Sequence, residues 1–232
     1  MRMKETDYRI PRVPGKLALL TDFHNSPDPA ILASLQRHRP SLILVAGDIV
    51  YGKDPLDRQV HVLPFLTACS SIASTFLSLG NHEQYLTPRE IQEIKKSGVI
   101  ILDNTWREVN GLIIGGLTSA YVTDRRKGKK DYTPETKWLD RFTAVSGYHI
   151  LLSHHPEYWP LISPFPVDLC LCGHAHGGQW RVFGRGVYAP GQGMFPRWTK
   201  GIYDGRMVVS AGLSNTAGVP RLFNPTEIVY VE

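Results

Sequence analysis

Short, uniformly apolar runs alternate with segments of helical periodicity in the first half of the chain. Each run is short enough and apolar enough to form a buried β-strand. The predicted strands are Lys16–Thr21, Ser41–Ala46 and Ser74–Leu79. Helices are predicted at Pro29–Arg39, at Leu56–Ala68 and from Thr87 to Gly98. This order predicts parallel strands joined by crossover helices, that is, an α/β sheet.

The second half of the chain is richer in strands. Two apolar runs, Trp106–Val109 and Leu112–Leu117, flank Asn110-Gly111 and predict a hairpin. A short helix is expected at Glu135–Phe142. Further strands are predicted at Tyr148–Ser153, Val167–Cys172, Gly186–Ala189, Met207–Ser210 and Glu227–Val231. Because the sequence has no internal repeat and no linker, we expect a second sheet packed on the first within one domain, residues 1–232.

Composition excludes several classes of protein. The chain has 232 residues, of which 42% are hydrophobic and 20% charged, so it is not a disordered tail, a collagen-like repeat or a coiled coil. Lys and Arg number 26 and Asp and Glu 21, which gives a formal charge of +5. This excess suits anionic partners such as phosphates, but it is too small and too dispersed to predict nucleic-acid binding.

Cysteine content and hydropathy bear on the compartment. Three cysteines, Cys69, Cys170 and Cys172, are too few for a disulfide framework and fit a reducing environment. We expect Cys170 and Cys172 to be small buried apolar residues. No stretch approaches the roughly 18 apolar residues of a membrane span. The charged residues 1–12 lack the apolar segment of a signal peptide. We expect a cytoplasmic protein, with peripheral contact to a membrane as an alternative.

Polar segments directly follow five of the predicted strands. They contain six of the nine histidines of the chain. In open α/β sheets ligands bind beyond the carboxyl ends of the strands, so these segments are expected to meet at one edge. They are Thr21-Asp22-Phe23-His24, Gly47-Asp48, Gly80-Asn81-His82-Glu83, Ser153-His154-His155-Pro156 and Gly173-His174-Ala175-His176-Gly177-Gly178-Gln179.

The residue types in these segments suit a metal site. Aspartate, neutral histidine and asparagine offer the oxygen and imidazole donors that Mn, Fe or Zn accept, rather than a calcium set. Two metals in close proximity need a shared carboxylate, and Asp48 is central in the set. Taken singly, each segment can also be a turn, a helix cap or a satisfied polar loop. Taken together they favour a metal site, since burying so many His and Asp side chains without one would be costly.

The ordered set Asp-x-His, Gly-Asp, Gly-Asn-His-Glu, His and Gly-His-x-His resembles the calcineurin-like metallophosphoesterase superfamily. The resemblance extends from Leu17 to the C-terminus. The Gly-His-Ala-His-Gly-Gly-Gln segment and the ending Gly218–Ile228 are similar to a bacterial phosphodiesterase branch. The resemblance implies an α/β fold, a four-layer αββα sandwich of two mixed β-sheets flanked by helices.

The resemblance also implies roles for individual residues. Asp22, His24 and His176 would hold one divalent ion, and Asn81, His154 and His174 the other. Asp48 would bridge the two ions. His82 would contact the substrate phosphate or act as general acid, and Asn81 would also lie at the substrate. His155 occupies a variable place in the family pattern, so it is either a substrate contact or a polar neighbour. Glu83, at a position that is often Asp in the family, changes nothing major.

The implied activity is that of a dinuclear metal-dependent phosphoesterase. It would hydrolyse phosphodiester or phosphoanhydride bonds by attack of a hydroxide that bridges two Mn, Fe or Zn ions. Alternatives are a lipid-linked UDP-sugar pyrophosphatase of the UDP-2,3-diacylglucosamine type, a nuclease of the same superfamily, and a binding protein that has lost turnover. The sequence names neither the substrate nor the metal, and it leaves the oligomeric state open.

Two further features bear on partners. The run Arg125–Lys130 has five basic residues in six, and it is either a solvated loop or an anchor for anionic lipid headgroups. Aromatic residues surround the metal segments along the sequence. We expect most of them to pack in the core or at the rim, and some to form an apolar substrate wall. They are Tyr158, Trp159, Trp180, Phe183, Phe195 and Trp198.

Overall fold

The computed structural model describes residues 3–120, 122–124, 129–131, 133–216 and 218–232. Strands and helices are numbered here in chain order within those residues. The first sheet has six strands in the order β1-β18-β2-β3-β4-β5, all parallel to their neighbours except that β18 and β2 are antiparallel. Its strands are β1 (Lys4–Tyr8), β2 (Leu17–Leu20), β3 (Leu42–Ala46), β4 (Ser74–Ser78), β5 (Ile100–Leu102) and β18 (Glu227–Val231).

Three helices connect the parallel strands of the first sheet. They are α1 (Pro29–His38), α2 (Val62–Ile72) and α3 (Pro88–Lys96). Helix α1 begins at Asp28, whose carboxylate accepts a hydrogen bond from the Ala30 amide at 2.9 Å. Helix α3 begins with a capping box between Thr87 and Glu90. Caps of this kind satisfy backbone amides that have no partner inside the helix and so fix where each helix starts.

The second sheet also has six strands, in the order β16-β17-β11-β10-β7-β6. Its central strands are parallel, and the edge pairs β6–β7 and β16–β17 are antiparallel. Helices α4 (Trp138–Thr143) and α5 (Trp159–Ile162) pack on it. Its strands are β6 (Thr105–Val109), β7 (Leu112–Leu117), β10 (Tyr148–Ser153), β11 (Leu169–Cys172), β16 (Gly201–Tyr203) and β17 (Met207–Val209).

Small hairpins complete the described secondary structure. They are β8 (Val122–Asp124) with β9 (Lys129–Asp131), β12 (Arg181–Val182) with β13 (Arg185–Gly186), and β14 (Tyr188–Ala189) with β15 (Gly193–Met194). Short 3₁₀ turns lie at Leu56–Arg58, Glu83–Tyr85, Pro156–Tyr158 and His176–Gly178.

The buried apolar side chains form three clusters, each of which lies between two layers of the fold. Side chains such as Leu19, Leu44, Ile114 and Leu152 pack between the two sheets. A second cluster lies between the first sheet and α1, α2 and α3, and a third between the second sheet and α4 and α5. The order helix, sheet, sheet, helix is the predicted αββα sandwich, which is therefore confirmed.

Some predicted elements differ from those observed. Strand β1 was not predicted, because the charged segment Lys4–Tyr8 has no apolar run. It is an edge strand whose backbone hydrogen bonds are made to β18. The helix predicted at Leu56–Ala68 is a 3₁₀ turn followed by α2, since Pro64 has no amide hydrogen and fits only in a first helical turn. The predicted strand Gly186–Ala189 is divided between two hairpins.

The remaining predictions on core and membrane have mixed outcomes. Cys170 and Cys172 are fully buried with their sulfurs 3.7 Å apart, as free thiols. Among the described helices, none combines the length and the apolar character required to cross a bilayer. Residues 125–128 of the basic run lie outside the described residues, so the lipid anchor proposed there stays a prediction.

Candidate metal centre

The five polar segments meet at the carboxyl ends of strands from both sheets. Asp22 and His24 follow β2, Asp48 follows β3, and Asn81 and His82 follow β4. His154 follows β10, and the segment of His174 and His176 follows β11. Hydrogen bonds join the two groups, because the amide of His174 donates to Asp22 Oδ2 at 3.1 Å and the Nδ1 atom of His154 lies 2.7 Å from the Ala46 carbonyl. The candidate metal centre therefore lies at the boundary between the carboxyl ends of the two sheets, which we call the seam.

Each buried aspartate has one oxygen held by the protein and one directed into the cluster. Asp22 Oδ2 accepts from the Thr21 hydroxyl at 2.9 Å and from the His174 amide, whereas Oδ1 has no hydrogen-bond partner among the described residues. Asp48 Oδ1 accepts from the His82 amide at 2.9 Å. Its Oδ2 lies 3.0 Å from His154 Nε2. A hydrogen bond that fixes one carboxylate oxygen also orients the other oxygen of the same group, and carboxylates that bind metals are oriented in this way.

Two histidines are oriented in the same way. His24 Nδ1 lies 3.1 Å from the Val50 carbonyl, and His154 Nδ1 lies 2.7 Å from the Ala46 carbonyl. A carbonyl can only accept, so each Nδ1 carries the proton and each Nε2 keeps a lone pair in the neutral ring. Both Nε2 atoms are buried without a hydrogen-bond partner among the described residues. This is the tautomer that metal-ligating histidines adopt.

His176 has a different neighbour. Its Nε2 lies 3.5 Å from Asp22 Oδ1, but its Nδ1 lies 3.0 Å from Nη2 of the buried Arg221 guanidinium. Since a guanidinium only donates, Nδ1 accepts here and Nε2 carries the proton of the neutral ring. This contact must rearrange before Nε2 can bind a metal. Arg221 also donates to the Ala211 carbonyl at 2.7 Å, which fixes its position.

The ligand atoms lie close enough together to share metal ions. Four overlapping groups each have potential donor atoms within 4.8 Å of one another. The buried Oδ1 of Asn81 has no hydrogen-bond partner among the described residues. The groups are Asp22 with His24 and His176, His24 with Asp48 and His82, Asp22 with Asp48 and His154, and His154 with His155 and His174.

This donor set fits divalent cations. Asp22 Oδ1, His24 Nε2, Asn81 Oδ1 and His154 Nε2 are all buried and form no hydrogen bond within the described residues. Leaving four such atoms unpaired would be costly, and a cation satisfies all of them. Carboxylate, amide and imidazole donors together suit Mn, Fe or Zn.

The electrostatics of the cluster point the same way. Burial alone would raise the pKa of the Asp22 and Asp48 carboxyls, but the imidazoles around each outweigh burial and hold the pKa below its usual range. Burial lowers the pKa of His154, yet Asp48 and Asp22 outweigh it and raise the pKa to about 10, so without a cation the ring takes a second proton on Nε2, which a bound metal would displace. The two buried carboxylates are therefore stabilised by positive charge beside them, which protonated His154 supplies without a metal and divalent cations would supply when bound.

The backbone at the site is in an unusual conformation. Five of the predicted ligands have a positive φ: Asp22 (54°), His24 (47°), Asp48 (56°), His174 (62°) and His176 (46°). Such values are uncommon for residues other than glycine, and they cluster where surrounding structure enforces them for function. Sequence reasoning had no signal for this feature, because local pattern does not report φ.

Two glycines allow close packing against the carboxylates. A Cβ on Gly173 would contact the Thr21 hydroxyl and lie 2.6 Å from Asp22 Oδ2. A Cβ on Gly80 would contact Asp48 Oδ1. Neither glycine has a positive φ that would by itself demand glycine, so lack of space is the reason for each.

His82 lies at the mouth of the cluster with a defined tautomer. The Gly52 amide donates to its Nδ1 at 2.6 Å, so the neutral ring carries its proton on Nε2, which lies 3.8 Å from Asp48 Oδ2. Burial lowers the pKa of His82, which favours the neutral ring. His82 and Asn81 line a cleft of about 450 Å³, together with His155, His174 and Lys53. The His82 side chain, with its proton on Nε2, therefore borders both this cleft and Asp48.

Both ring nitrogens of His155 lie within hydrogen-bonding distance of other side chains. Its Nε2 lies 2.7 Å from the Ser119 hydroxyl, and its Nδ1 lies 3.0 Å from Glu157 Oε1. Burial lowers its pKa to about 3, so the ring is neutral. This arrangement favours the polar neighbour over the substrate contact. Glu157 is a carboxylate that sequence reasoning missed. It lies 3.7 Å from His174 Nε2, and its position two residues after His155 was the available signal.

Glu83 supports the loop that carries Asp48. Its buried carboxylate accepts hydrogen bonds from four backbone amides, those of Asp48, Ile49, Val50 and Gly80, at distances of 2.7 to 3.2 Å. One side chain therefore fixes the chain after β3 to the chain after β4. Sequence reasoning gave Glu83 no such role, because three of its four partners lie more than 30 residues away along the chain.

Comparison with known proteins agrees with this geometry. The family model for calcineurin-like phosphoesterases matches residues 15–178, a span that contains every predicted ligand. An uncharacterized metallophosphoesterase of Campylobacter jejuni is 28% identical and aligns with 98% of this chain. The phosphodiesterase YaeI of Escherichia coli is 26% identical over 73% of this chain. The chain spans 62% and 63% of the lengths of these two relatives.

A solved structure supports the fold. A dimetal phosphatase from Danio rerio superposes with a TM-score of 0.53 at 12% identity, covering 85% of this chain and 87% of its own. At that identity the likeness bears on the fold alone.

Proposed function

The chain belongs to the calcineurin-like phosphoesterase family, and from that premise we propose that it is a dinuclear metal-dependent phosphodiesterase. It hydrolyses phosphodiester or phosphoanhydride bonds. The observation that carries the proposal is the pair of buried aspartates, each with one oxygen anchored and the other facing histidine nitrogens. Apolar packing does not account for two buried carboxylates among four histidines.

The residues divide into two ligand groups around Asp48. Asp22, His24 and His176 hold one divalent ion, Asn81, His154 and His174 hold the other, and Asp48 lies between the groups. When bound, two Mn, Fe or Zn ions supply charge neutralisation at the phosphate and a lowered pKa for the attacking water. The hydrogen bonds to Asp22 Oδ2, Asp48 Oδ1 and the Nδ1 atoms of His24 and His154 keep these ligands oriented.

His82 acts as a hydrogen-bond donor to a phosphate oxygen. Its Nδ1 accepts from the Gly52 amide, so it cannot hold a second proton while that bond is present. A neutral imidazole that gave up its Nε2 proton would become an imidazolate, which is unfavourable. Stabilising charge on the phosphoryl oxygens by Nε2–H is therefore favoured over general acid catalysis.

The surroundings of the cluster support a diester substrate. The polar cleft of about 450 Å³ includes His174, and an apolar cavity of about 380 Å³ includes His176. Tyr188 and Pro190 line both, so the two cavities adjoin. A phosphodiester places one substituent on each side of the phosphorus, which suits two cavities that flank the same cluster.

The apolar cavity favours a second candidate, a lipid-linked UDP-sugar pyrophosphatase of the UDP-2,3-diacylglucosamine type. Trp180, Met194 and Val219 line this cavity beside His176. An acyl chain fits an apolar cavity better than a nucleotide would. A preference for an acylated diphosphate over bis-p-nitrophenyl phosphate, measured as kcat/KM, would favour this candidate.

The test is hydrolysis of bis-p-nitrophenyl phosphate by the metal-loaded chain, with metal content measured by mass spectrometry. We expect turnover with two ions per chain, and loss of turnover and of metal in Asp48→Asn. Circular dichroism checks that the variant is folded. Normal turnover in folded Asp48→Asn, or one ion per fully active chain, would reject the dinuclear proposal.

A further inference from the structure

Exposed apolar side chains concentrate in the part of the chain between β11 and β18. Phe183, Phe195 and Phe223 have exposed fractions of 102%, 80% and 74%. These values exceed those of every other large apolar side chain in the described residues. Other exposed members of this surface are Trp180, Val182, Tyr188, Met194, Val219 and Leu222. We call this set, with the three phenylalanines, the apolar rim.

Backbone hydrogen bonds join the segments of the apolar rim. The Arg181 amide donates to the Leu222 carbonyl at 3.0 Å, and the Phe195 amide donates to the Val187 carbonyl at 2.8 Å. Met194 pairs with Tyr188 in the β14–β15 hairpin. Met194, Tyr188, Trp180 and Val219 also share the cavity beside His176. The rim is therefore a continuous surface that borders the metal centre.

The three phenylalanines occupy backbone positions that disfavour them. Phe183, Phe195 and Phe223 have φ values of 49°, 53° and 53°. Phe183 and Gly184 form the two-residue turn between β12 and β13 with both φ positive, where Asn-Gly is the usual pair. A bulky side chain at positive φ is strained, and such strain is kept where it has a use. These positions project an aromatic ring away from the protein.

A basic cleft adjoins the rim. It has a volume of about 480 Å³, and Arg181, Arg185, Arg197 and Lys200 line it beside Phe195. The three arginines form no ion pair with a carboxylate in the part of the chain that the structure describes. Lys200 pairs with the buried Glu227 at 2.6 Å. Arg181 donates hydrogen bonds to the Gly177 carbonyl and the Thr199 hydroxyl. Arg185 and Arg197 are the guanidinium groups of this cleft best suited to a phosphate ligand.

We propose that the apolar rim and the basic cleft together dock the protein on an anionic lipid bilayer. The three phenylalanines enter the boundary between headgroups and acyl chains, and Arg185 and Arg197 bind lipid phosphates. Protruding rings beside cationic side chains are the combination that interfacial binding requires. Contact with acyl chains would bury the aliphatic side chains of the rim, which are Val182, Val219 and Leu222. A nucleic acid would not offer these side chains a comparable apolar contact.

Docking is separate from catalysis, so its test does not depend on turnover. The wild-type chain is sedimented with sucrose-loaded vesicles of phosphatidylcholine alone, and with vesicles that also contain phosphatidylglycerol. We expect binding to the anionic vesicles to be at least about tenfold stronger than to the neutral ones. The triple variant Phe183→Ser, Phe195→Ser, Phe223→Ser should lose at least about tenfold of that binding.

Matched controls separate the surface from general effects. Val60→Ser removes another exposed apolar side chain, 63% exposed, and should bind as wild type. Arg185→Gln with Arg197→Gln should lower binding to anionic vesicles, while Arg58→Gln with Lys95→Gln, which makes the same change in net charge, should not. Circular dichroism and hydrolysis of bis-p-nitrophenyl phosphate check that each variant remains folded.

Several results would overturn the proposal. Equal binding of wild type to neutral and anionic vesicles would reject it, as would unchanged binding of the triple variant. A wild-type dimer in light scattering that the triple variant converts to monomer, without vesicle binding, would make the rim a self-association surface. Loss of single-stranded DNA binding in the arginine variant, without vesicle binding by wild type, would make the cleft a nucleic-acid site.

Discussion

Glu83 holds Asp48 by its main chain rather than by its side chain. The Asp48 amide donates to Glu83 Oε2 at 2.8 Å, while the Asp48 carboxylate is left to face the histidines. Because the same Glu83 carboxylate binds four amides from two loops, the direction of Asp48 depends on a residue that touches no proposed ligand atom. The geometry of the metal centre therefore depends on a residue that is not itself one of the proposed ligands.

Replacing Glu83 should therefore damage both stability and metal binding. Glu83→Gln puts an amide donor against backbone donors, so we expect a loss of about 3 kcal/mol in the free energy of unfolding and a lower metal content. Urea unfolding and mass spectrometry measure the two quantities. Glu90→Gln is the matched control, since it weakens the cap of α3 and the hydrogen bond from the Leu56 amide, neither of which reaches the metal centre, and should cost about 1 kcal/mol with metal content unchanged. Full metal occupancy in Glu83→Gln would contradict this prediction.

Gly173→Ala should weaken metal binding without removing a ligand. The added Cβ would contact the Thr21 hydroxyl and approach Asp22 Oδ2, so it would displace the Asp22 carboxylate. We expect metal affinity to fall about 10- to 100-fold, as measured by competition with a chelator. Gly218→Ala has open space at its Cβ among the described residues and should behave as wild type. Wild-type metal affinity in Gly173→Ala would contradict this prediction, because the loop would then accommodate the added Cβ without displacing Asp22.

His82→Asn should reduce kcat by about 10²- to 10³-fold, the usual effect of removing one donor to a developing oxyanion. Metal content should not change. If His82 donates to a phosphate oxygen, the loss should be equal for diesters with p-nitrophenolate and with alkoxide leaving groups. A loss confined to the alkoxide substrate would instead identify His82 as the general acid. His61→Asn, at an exposed histidine, should leave kcat unaltered.

The cysteines should be unreactive in the folded protein. All three are fully buried, and burial raises the pKa of Cys69 to about 12 and that of Cys172 well above its usual value. A raised pKa keeps a thiol protonated, and the thiol form is not nucleophilic. We expect no reaction with Ellman's reagent at mildly alkaline pH, and three thiols per chain in concentrated guanidinium. Ser71→Cys, at an exposed position, should react at once; a native cysteine that reacts equally fast would contradict the burial.

Sequence reasoning succeeded where the signal was local. The apolar runs located β2, β3, β4, β10 and β11, and the polar segments after them do converge at one seam. It failed where long-range pairing or backbone conformation decided the outcome. Strand β1 has a charged sequence and depends on β18 for its hydrogen bonds. The orientation of His82, the contact of Arg221 with His176 and the four bonds of Glu83 need three-dimensional neighbours that no sequence pattern contains.

The position of β18 has a consequence for biosynthesis. This strand lies between β1 and β2, yet the ribosome makes it after every other described strand. Until Glu227–Val231 emerges, β1 has no neighbour to pair with and one side of β2 stays open. A nascent chain must therefore protect an unpaired strand edge until Glu227–Val231 has been made. A premature stop before Glu227 would leave that edge open for good, so such a product is expected to aggregate.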